Sequence, residues 1–181
     1  MKRLNVSLTT KGSLEKAIKY LEQYKKDLAK KSEEFISRLI DIGIYAGEIN
    51  AGQYKNYIVF EKNLNLNKND CEGLLIAMDK EKIIRQWYRG QTVVSAEVSP
   101  LLMSEFGSGW LAEVLFQSVV GKVGQGTFPE QIHAFDENGW WWTTLDGTKH
   151  HSKGEEPTHP MHQAYITMYS QIEKIAKEVF K

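Results

Sequence analysis

From Leu14 onward, apolar residues recur at helical spacings: Leu14, Ala17, Ile18, Leu21, Leu28, Phe35, Ile36, Leu39, Ile40, Ile42, Ala46 and Ile49. This pattern predicts a long helix, or two in tandem, over 14–50, with one face that must be buried. Ser13 stands where an N-cap is expected. The run Lys25 to Lys31 reads as a solvated face of that helix. Gly43, Gly47 and Gly52 weaken its last turns and point to fraying or to close packing.

Elsewhere the period falls to two. Leu4-Asn5-Val6-Ser7-Leu8 alternates as a half-buried strand does. Tyr57 to Phe60 and Gly73 to Met78 are β-prone runs, and the polar stretch Asn63 to Asp70 predicts the turn of a hairpin between them. Ile83–Tyr88 and Thr92–Val98 predict two more strands around Arg89-Gly90-Gln91, completing an antiparallel strand region over 55–98. Ser99-Pro100 stops the last strand and starts a short helix through Phe106. Residues 107–128 hold Gly107, Gly109, Gly121, Gly124 and Gly126 around an apolar middle, which predicts a mobile insertion loop. Asn138-Gly139 between β-prone runs predicts a hairpin over 131–145. Asp146 to Pro157 reads as a polar loop. Ala164, Tyr165, Met168, Ile172, Ile175, Ala176 and Val179 then define one face of a helix over 159–180, with Pro160 in its first turn.

These elements predict one α+β domain over 1–181: an antiparallel sheet packed by a long N-terminal helix, or helix pair, and a C-terminal helix, with a long glycine-flanked insertion loop. Lys plus Arg and Asp plus Glu both total 23. That balance argues against a protein whose main task is gripping nucleic acid, because such binding is dominated by phosphate neutralisation. Cys71 is the single cysteine, so no intrachain disulfide forms, in keeping with a reducing compartment. No apolar run is long enough for a membrane span, and no membrane partner is expected.

Candidate chemistry adds little to this picture. Gly121-Lys122-Val123-Gly124-Gln125-Gly126 has neither nucleotide-loop spacing. His150, His151, His159 and His162, with Glu155 and Glu156 between them, carry competent metal ligands, and a metal-dependent enzyme is one alternative reading. Their spacing matches no structural or protease zinc pattern. No acid–base constellation stands out, so no catalytic, cofactor-binding or metal residue is assigned and no cofactor is expected. Trp140-Trp141-Trp142 places large rings on both faces of a strand. One face suits the core and the other a partner, or alternatively a glycan.

Ser104-Glu105-Phe106-Gly107-Ser108-Gly109, and Pro157-Thr158-His159-Pro160-Met161 with Ala164 and the closing helix, resemble the tail-completion, or head–tail joining, proteins of long-tailed phages and prophages. The resemblance spans roughly Leu14 to Phe180. It implies a non-enzymatic virion component, of the kind labelled minor capsid or tail component. Such a protein is made in the bacterial host cytoplasm and forms an oligomeric ring at the neck end of the tail tube, between the connector and the tail proteins. It has no catalytic residues to carry over. The resulting expectation is an assembly interface on Glu105, Phe106, Gly107, Trp110, Leu111, Phe116, Trp140 and Trp142. The apolar stretch Trp110 to Val120 and the tryptophan triplet depart from the family pattern.

Overall fold

The computed structural model of the chain describes residues 12–67, 70–111 and 136–181. The expected strand at Leu4–Leu8, the insertion beyond Leu111 and the first half of the 131–145 hairpin lie outside the described residues.

The chain has an α+β fold with a long N-terminal helix, antiparallel sheets and a C-terminal helix. A single helix, α1 (Ser13–Asn50), covers the whole predicted helical region. Gly12 rather than Ser13 is its N-cap, with φ 82°, and accepts the first helical bond from Lys16 N. Gly43 and Gly47 do not fray the helix. A Cβ on Gly43 would stand 2.7 Å from both Leu75 Cδ1 and Met168 Sδ, and one on Gly47 would stand 2.5 Å from Phe60 Cε1. The helix gives up about 1 kcal/mol of propensity at each glycine so that a strand ribbon and a second helix can approach its backbone.

A 3-10 turn, Gly52–Tyr57, leads into β1 (Ile58–Asn67) and β2 (Asp70–Asp79), an antiparallel ribbon with Ile58 opposite Asp79 and Asn67 opposite Asp70. The asparagines read as a turn are therefore strand residues. Asn63, Asn65 and Asn67 take the solvent side and alternate with Leu64 and Leu66, so their low β-propensity is overridden by the period of two. On the other side, Phe60 and Leu75 pack toward α1 and its neighbours.

The second sheet has the order β4-β3-β6-β7, with β3 (Ile83–Arg89), β4 (Thr92–Val98), β6 (Trp140–Thr143) and β7 (Lys149–Ser152). Between β4 and β6 lie α2 (Pro100–Phe106) and the two-residue β5 (Ser108–Gly109). The segment read as a polar loop after Asp146 contains two strands, β7 and β8 (Gly154–Glu155). The turn that folds β7 back is Asp146-Gly147. The Asp146 carboxylate accepts from Thr148 N at 3.0 Å and from the Thr144 hydroxyl, while Gly147 takes φ 83°. The described hairpin thus spans Trp140 to Ser152, with Trp141 opposite His151. Asn138-Gly139 closes a tight turn upstream, where Gly139 N donates to Asp136 O.

The final helix, α3 (Pro160–Val179), lies antiparallel to α1. One core cluster joins Ala51, Tyr54, Ile58, Phe60, Val98 and Met103 where the 3-10 turn, the ribbon, β4 and α2 meet. A second cluster joins Leu39 to Ile175 and Val179 between the two long helices. Phe35 and Phe180 close its end, ring centroids 5.8 Å apart. Among the described residues, no helix is long and apolar enough to cross a membrane.

Candidate functional site

The two short segments singled out in the sequence lie side by side. Ser108 pairs with Glu155 and Gly109 with Gly154, so β5 and β8 form a small antiparallel bridge. Ser108 Oγ accepts from Glu155 N at 3.0 Å, and Trp110 N donates to Lys153 O at 2.8 Å. Ser104 O accepts from both Thr158 N (2.8 Å) and His159 N (3.0 Å). Ser104 and Ser108 are buried, and these bonds supply the partners that buried polar groups require. Glycine is needed here for space as well as for conformation. A Cβ on Gly154 (φ 112°) would lie 1.8 Å from Ser108 O, and one on Gly107 (φ 71°) 2.5 Å from Glu155 O.

The start of α3 explains why Glu105 belongs to the joint. An N-cap residue ordinarily has extended backbone, and its side chain accepts from the second or third helical N–H. His159 instead sits in the left-handed region (φ 53°, ψ 50°) and offers no side-chain cap. Glu105 takes over that role from 56 residues upstream: Oε2 accepts from Met161 N at 2.7 Å and Oε1 from His162 N at 3.1 Å. A carboxylate at this end also matches the helix dipole. The same device recurs one step earlier. Asp79, at the end of β2, accepts from Leu101 N at 2.8 Å in the first turn of α2, beside the helix's own cap from Ser99 Oγ to Leu102 N. Two carboxylates thus link the elements in series: ribbon to α2 through Asp79, and α2 to α3 through Glu105.

Glu155 fastens the joint to the second sheet. Its carboxylate accepts from Gln53 Nε2 at 2.9 Å and from the Tyr54 hydroxyl, and it pairs with Arg85 of β3 at 3.6 Å. Burial pushes the Tyr54 phenol far above its usual range, and the hydrogen bond and negative charge of Glu155 push the same way. The group is therefore held as a neutral donor, a locking role rather than an acid–base one.

The residues expected to form an assembly interface have different surroundings. Glu105 spends its carboxylate on α3, and Gly107 is buried against Glu155 and Pro157. Phe106 and Leu111 are half-buried, whereas Trp110 is exposed. Trp140 packs over Gly109, and Trp142 stacks on His150 at 5.2 Å; both are half-buried. Phe116 lies outside the described residues. The sequence reading left out Trp141, which at 71% is the most exposed large apolar residue among the described residues. It shares its sheet face with Tyr88, through the Tyr88–Thr143 pair, and with Ile84, both exposed. His151 leans on its ring at 4.6 Å and is itself held by Asn138 O at 2.7 Å. The available signal was the alternation itself: if Trp140 and Trp142 face inward, Trp141 must face out.

The four clustered histidines do not converge as ligands. His150 and His151 sit on opposite faces of β7 against separate tryptophans, and His159 and His162 meet edge to face at 6.2 Å. Among the described residues, no group of three His, Cys, Asp or Glu side chains is placed to hold a metal. Cys71 lines a groove of about 480 Å³ between α1 and the far end of the ribbon. Burial, then Glu33 and Asp70, raise its thiol pKa, which disfavours the reactive thiolate.

The class that fold and joint define is an α+β domain whose polar motifs serve to fasten its own elements together. No protein-family model, curated protein or solved structure matches the chain.

Proposed function

We propose that the protein is a structural virion component at the head–tail junction of a long-tailed phage or prophage, where copies assemble into a ring that completes the tail and meets the connector. The observation that carries this reading is the joint itself. The two segments on which the resemblance rests interlock through Glu105, Ser104 and Ser108, and their polar groups are used internally. Segments with that role hold a fold in shape and leave contact with neighbours to exposed apolar surface, here Trp110, Ile84 and Trp141. On this reading the protein is not an enzyme, and it resides in the host cytoplasm until it enters the particle. Electron microscopy of particles from a deletion mutant tests it: unjoined heads and tails or malformed tails are expected, and normal infectious particles refute it.

A second reading, a glycan-binding module, is favoured by one observation: Trp141 is exposed, and its ring is braced by a fixed histidine, the arrangement a sugar face stacks on. Tryptophan fluorescence against a glycan panel, compared with Trp141→Ala, decides it; a response in neither protein removes the reading.

A further inference from the structure

Strand β6 is flanked by two turns of related backbone chemistry. Asn138-Gly139 precedes it and Asp146-Gly147 follows it; no other asparagine and no other aspartate in the chain stands before a glycine. A side-chain carbonyl carbon beside an unhindered glycine nitrogen can close a five-membered succinimide, the route by which asparagine loses ammonia without an enzyme. In both turns that nitrogen is hydrogen-bonded, Gly139 N to Asp136 O and Gly147 N to Thr144 O, each at 2.9 Å. The two side chains differ. The Asp146 carboxylate accepts from the Thr144 hydroxyl and from Thr148 N, and its pKa is held at about 2, so it stays ionised and resists attack. Asn138 is exposed. Its backbone N–H donates to Asp136 Oδ1 at 2.9 Å and its backbone carbonyl accepts from His151 Nε2 at 2.7 Å. Its side-chain amide has no hydrogen-bond partner among the described residues and is free to reach Gly139 N. The glycine is fixed by the hairpin, because a Cβ there would stand 2.2 Å from Ser152 O.

We propose that Asn138 is a site of spontaneous modification and that His151 steers its product toward isoaspartate. Gly139 N bonds to Asn138 Cγ, the Cγ–Nδ2 bond breaks, and ammonia leaves with the amide proton. Water then opens the ring at one of two carbonyl carbons. Attack at Cγ gives aspartate and leaves the main chain as it was. Attack at the backbone carbonyl carbon breaks its bond to Gly139 N. The main chain then runs through Cβ and Cγ, and the old backbone carbonyl becomes a free carboxylate. One water enters and one ammonia leaves, with no oxidation. Asn138 O can only accept, so His151 Nε2 carries the proton between them. A donor fixed at that oxygen stabilises the negative charge that builds there as water adds to its carbon, and Cγ has no such donor. The product sets a carboxylate against His151, whose ring leans on exposed Trp141, so the change adds charge to the exposed aromatic face. One hydrogen bond in an exposed turn restrains Gly139 N, and a bond of that kind slows the first step by only about two- to tenfold. The reaction is independent of both functional readings above.

Incubation of the full chain at neutral pH in oxygen-18 water, followed by proteolysis and fragment-ion mass spectrometry, is the direct test. Asn138 should lose its ammonia and take up one heavy oxygen ahead of every other asparagine, while Asp146 stays unchanged. Unfolding in urea should speed the loss by about two- to tenfold. The ratio of isoaspartate to aspartate at position 138 should be higher in the folded chain than in urea. His151→Phe keeps a ring against Trp141 and removes the donor, so its folded-state ratio should fall by about two- to tenfold, to the value in urea. Asn138→Gln, whose longer side chain closes a ring far more slowly, should stop the acidic species seen by ion exchange. Asn138 reacting no faster than the other asparagines, or Asp146 of the folded chain forming isoaspartate as quickly, overturns the proposal. So does a folded-state rate below about a hundredth of that in urea. Equal product ratios in the folded and unfolded wild type, or a ratio indifferent to His151→Phe, overturn the role of His151.

Discussion

Glu105 gives the sharpest test of how the molecule is fastened. Glu105→Ala removes the acceptor for Met161 N and His162 N at a helix start that has no side-chain cap of its own. Loss of a cap costs about 1 kcal/mol, and loss of negative charge at a helix N-terminus adds about 0.5–1 kcal/mol. The total is about 2 kcal/mol. For a chain of this size that corresponds to a drop of about 4–8 °C in Tm. Glu105→Gln keeps one of the two acceptor oxygens and loses the other together with the charge, so it should fall between the wild type and Glu105→Ala. Glu156→Ala, exposed and nearby, should change stability by less than about 0.5 kcal/mol. Thermal unfolding followed by circular dichroism ranks the four proteins, and hydrogen exchange at the Met161 and His162 amides locates the effect. A Glu105→Ala protein that melts with the wild type, or a Glu105→Gln protein as weak as Glu105→Ala, would show that the remote cap is not what holds α3.

Three further outcomes follow from the same geometry. Gly154→Ala drives a Cβ into a backbone oxygen that cannot swing aside and should cost about 3 kcal/mol or more. Gly147→Ala, with open space around it at φ 83°, should cost only about 1 kcal/mol by urea denaturation. Tyr54 has its phenol pKa raised in the folded protein, so the folded state retains a proton that the unfolded chain releases above about pH 10. The associated stability is complete below that pH and is lost as pH rises beyond it, and Tyr54→Phe should flatten the fall in urea midpoint between about pH 9 and 11. Asp146 is shifted the other way, to about 2, by the Thr144 hydroxyl and the Thr148 amide. Its contribution to the turn is present above the ordinary carboxylate range and lost as pH falls toward 2, and the Thr148 amide resonance in NMR should report that loss while core amides stay fixed.

Elements defined by local periodicity were legible in the sequence: the stripe of α1, the strands around Arg89-Gly90, Pro100 opening α2 and Pro160 opening α3. Where two local signals conflicted, the tertiary partner decided. The asparagines of β1 favour turns by propensity, but every second residue of that strand faces solvent and tolerates them. Gly43 and Gly47 weaken a helix locally, yet they are where Leu75, Met168 and Phe60 come closest. Asp146-Gly147 was a readable hairpin signal hidden in a run of polar residues. The joint was legible only as two unexplained segments. That Glu105 caps a helix 56 residues away, and that Asp79 does the same for α2, depends on three-dimensional proximity that spacing along the chain does not encode.

The antiparallel pairing of α1 with α3 also sets an order of events during synthesis. α1 is made first of the two helices, and α3, which buries Leu39, begins about 110 residues after α1 ends. At ordinary translation rates the stretch from Asn50 to Pro160 takes roughly 6–22 s. Over that interval the nascent chain carries an uncovered apolar seam on a helix that is already able to form. The Leu39 half of the helix core can therefore close only after α3 itself has emerged.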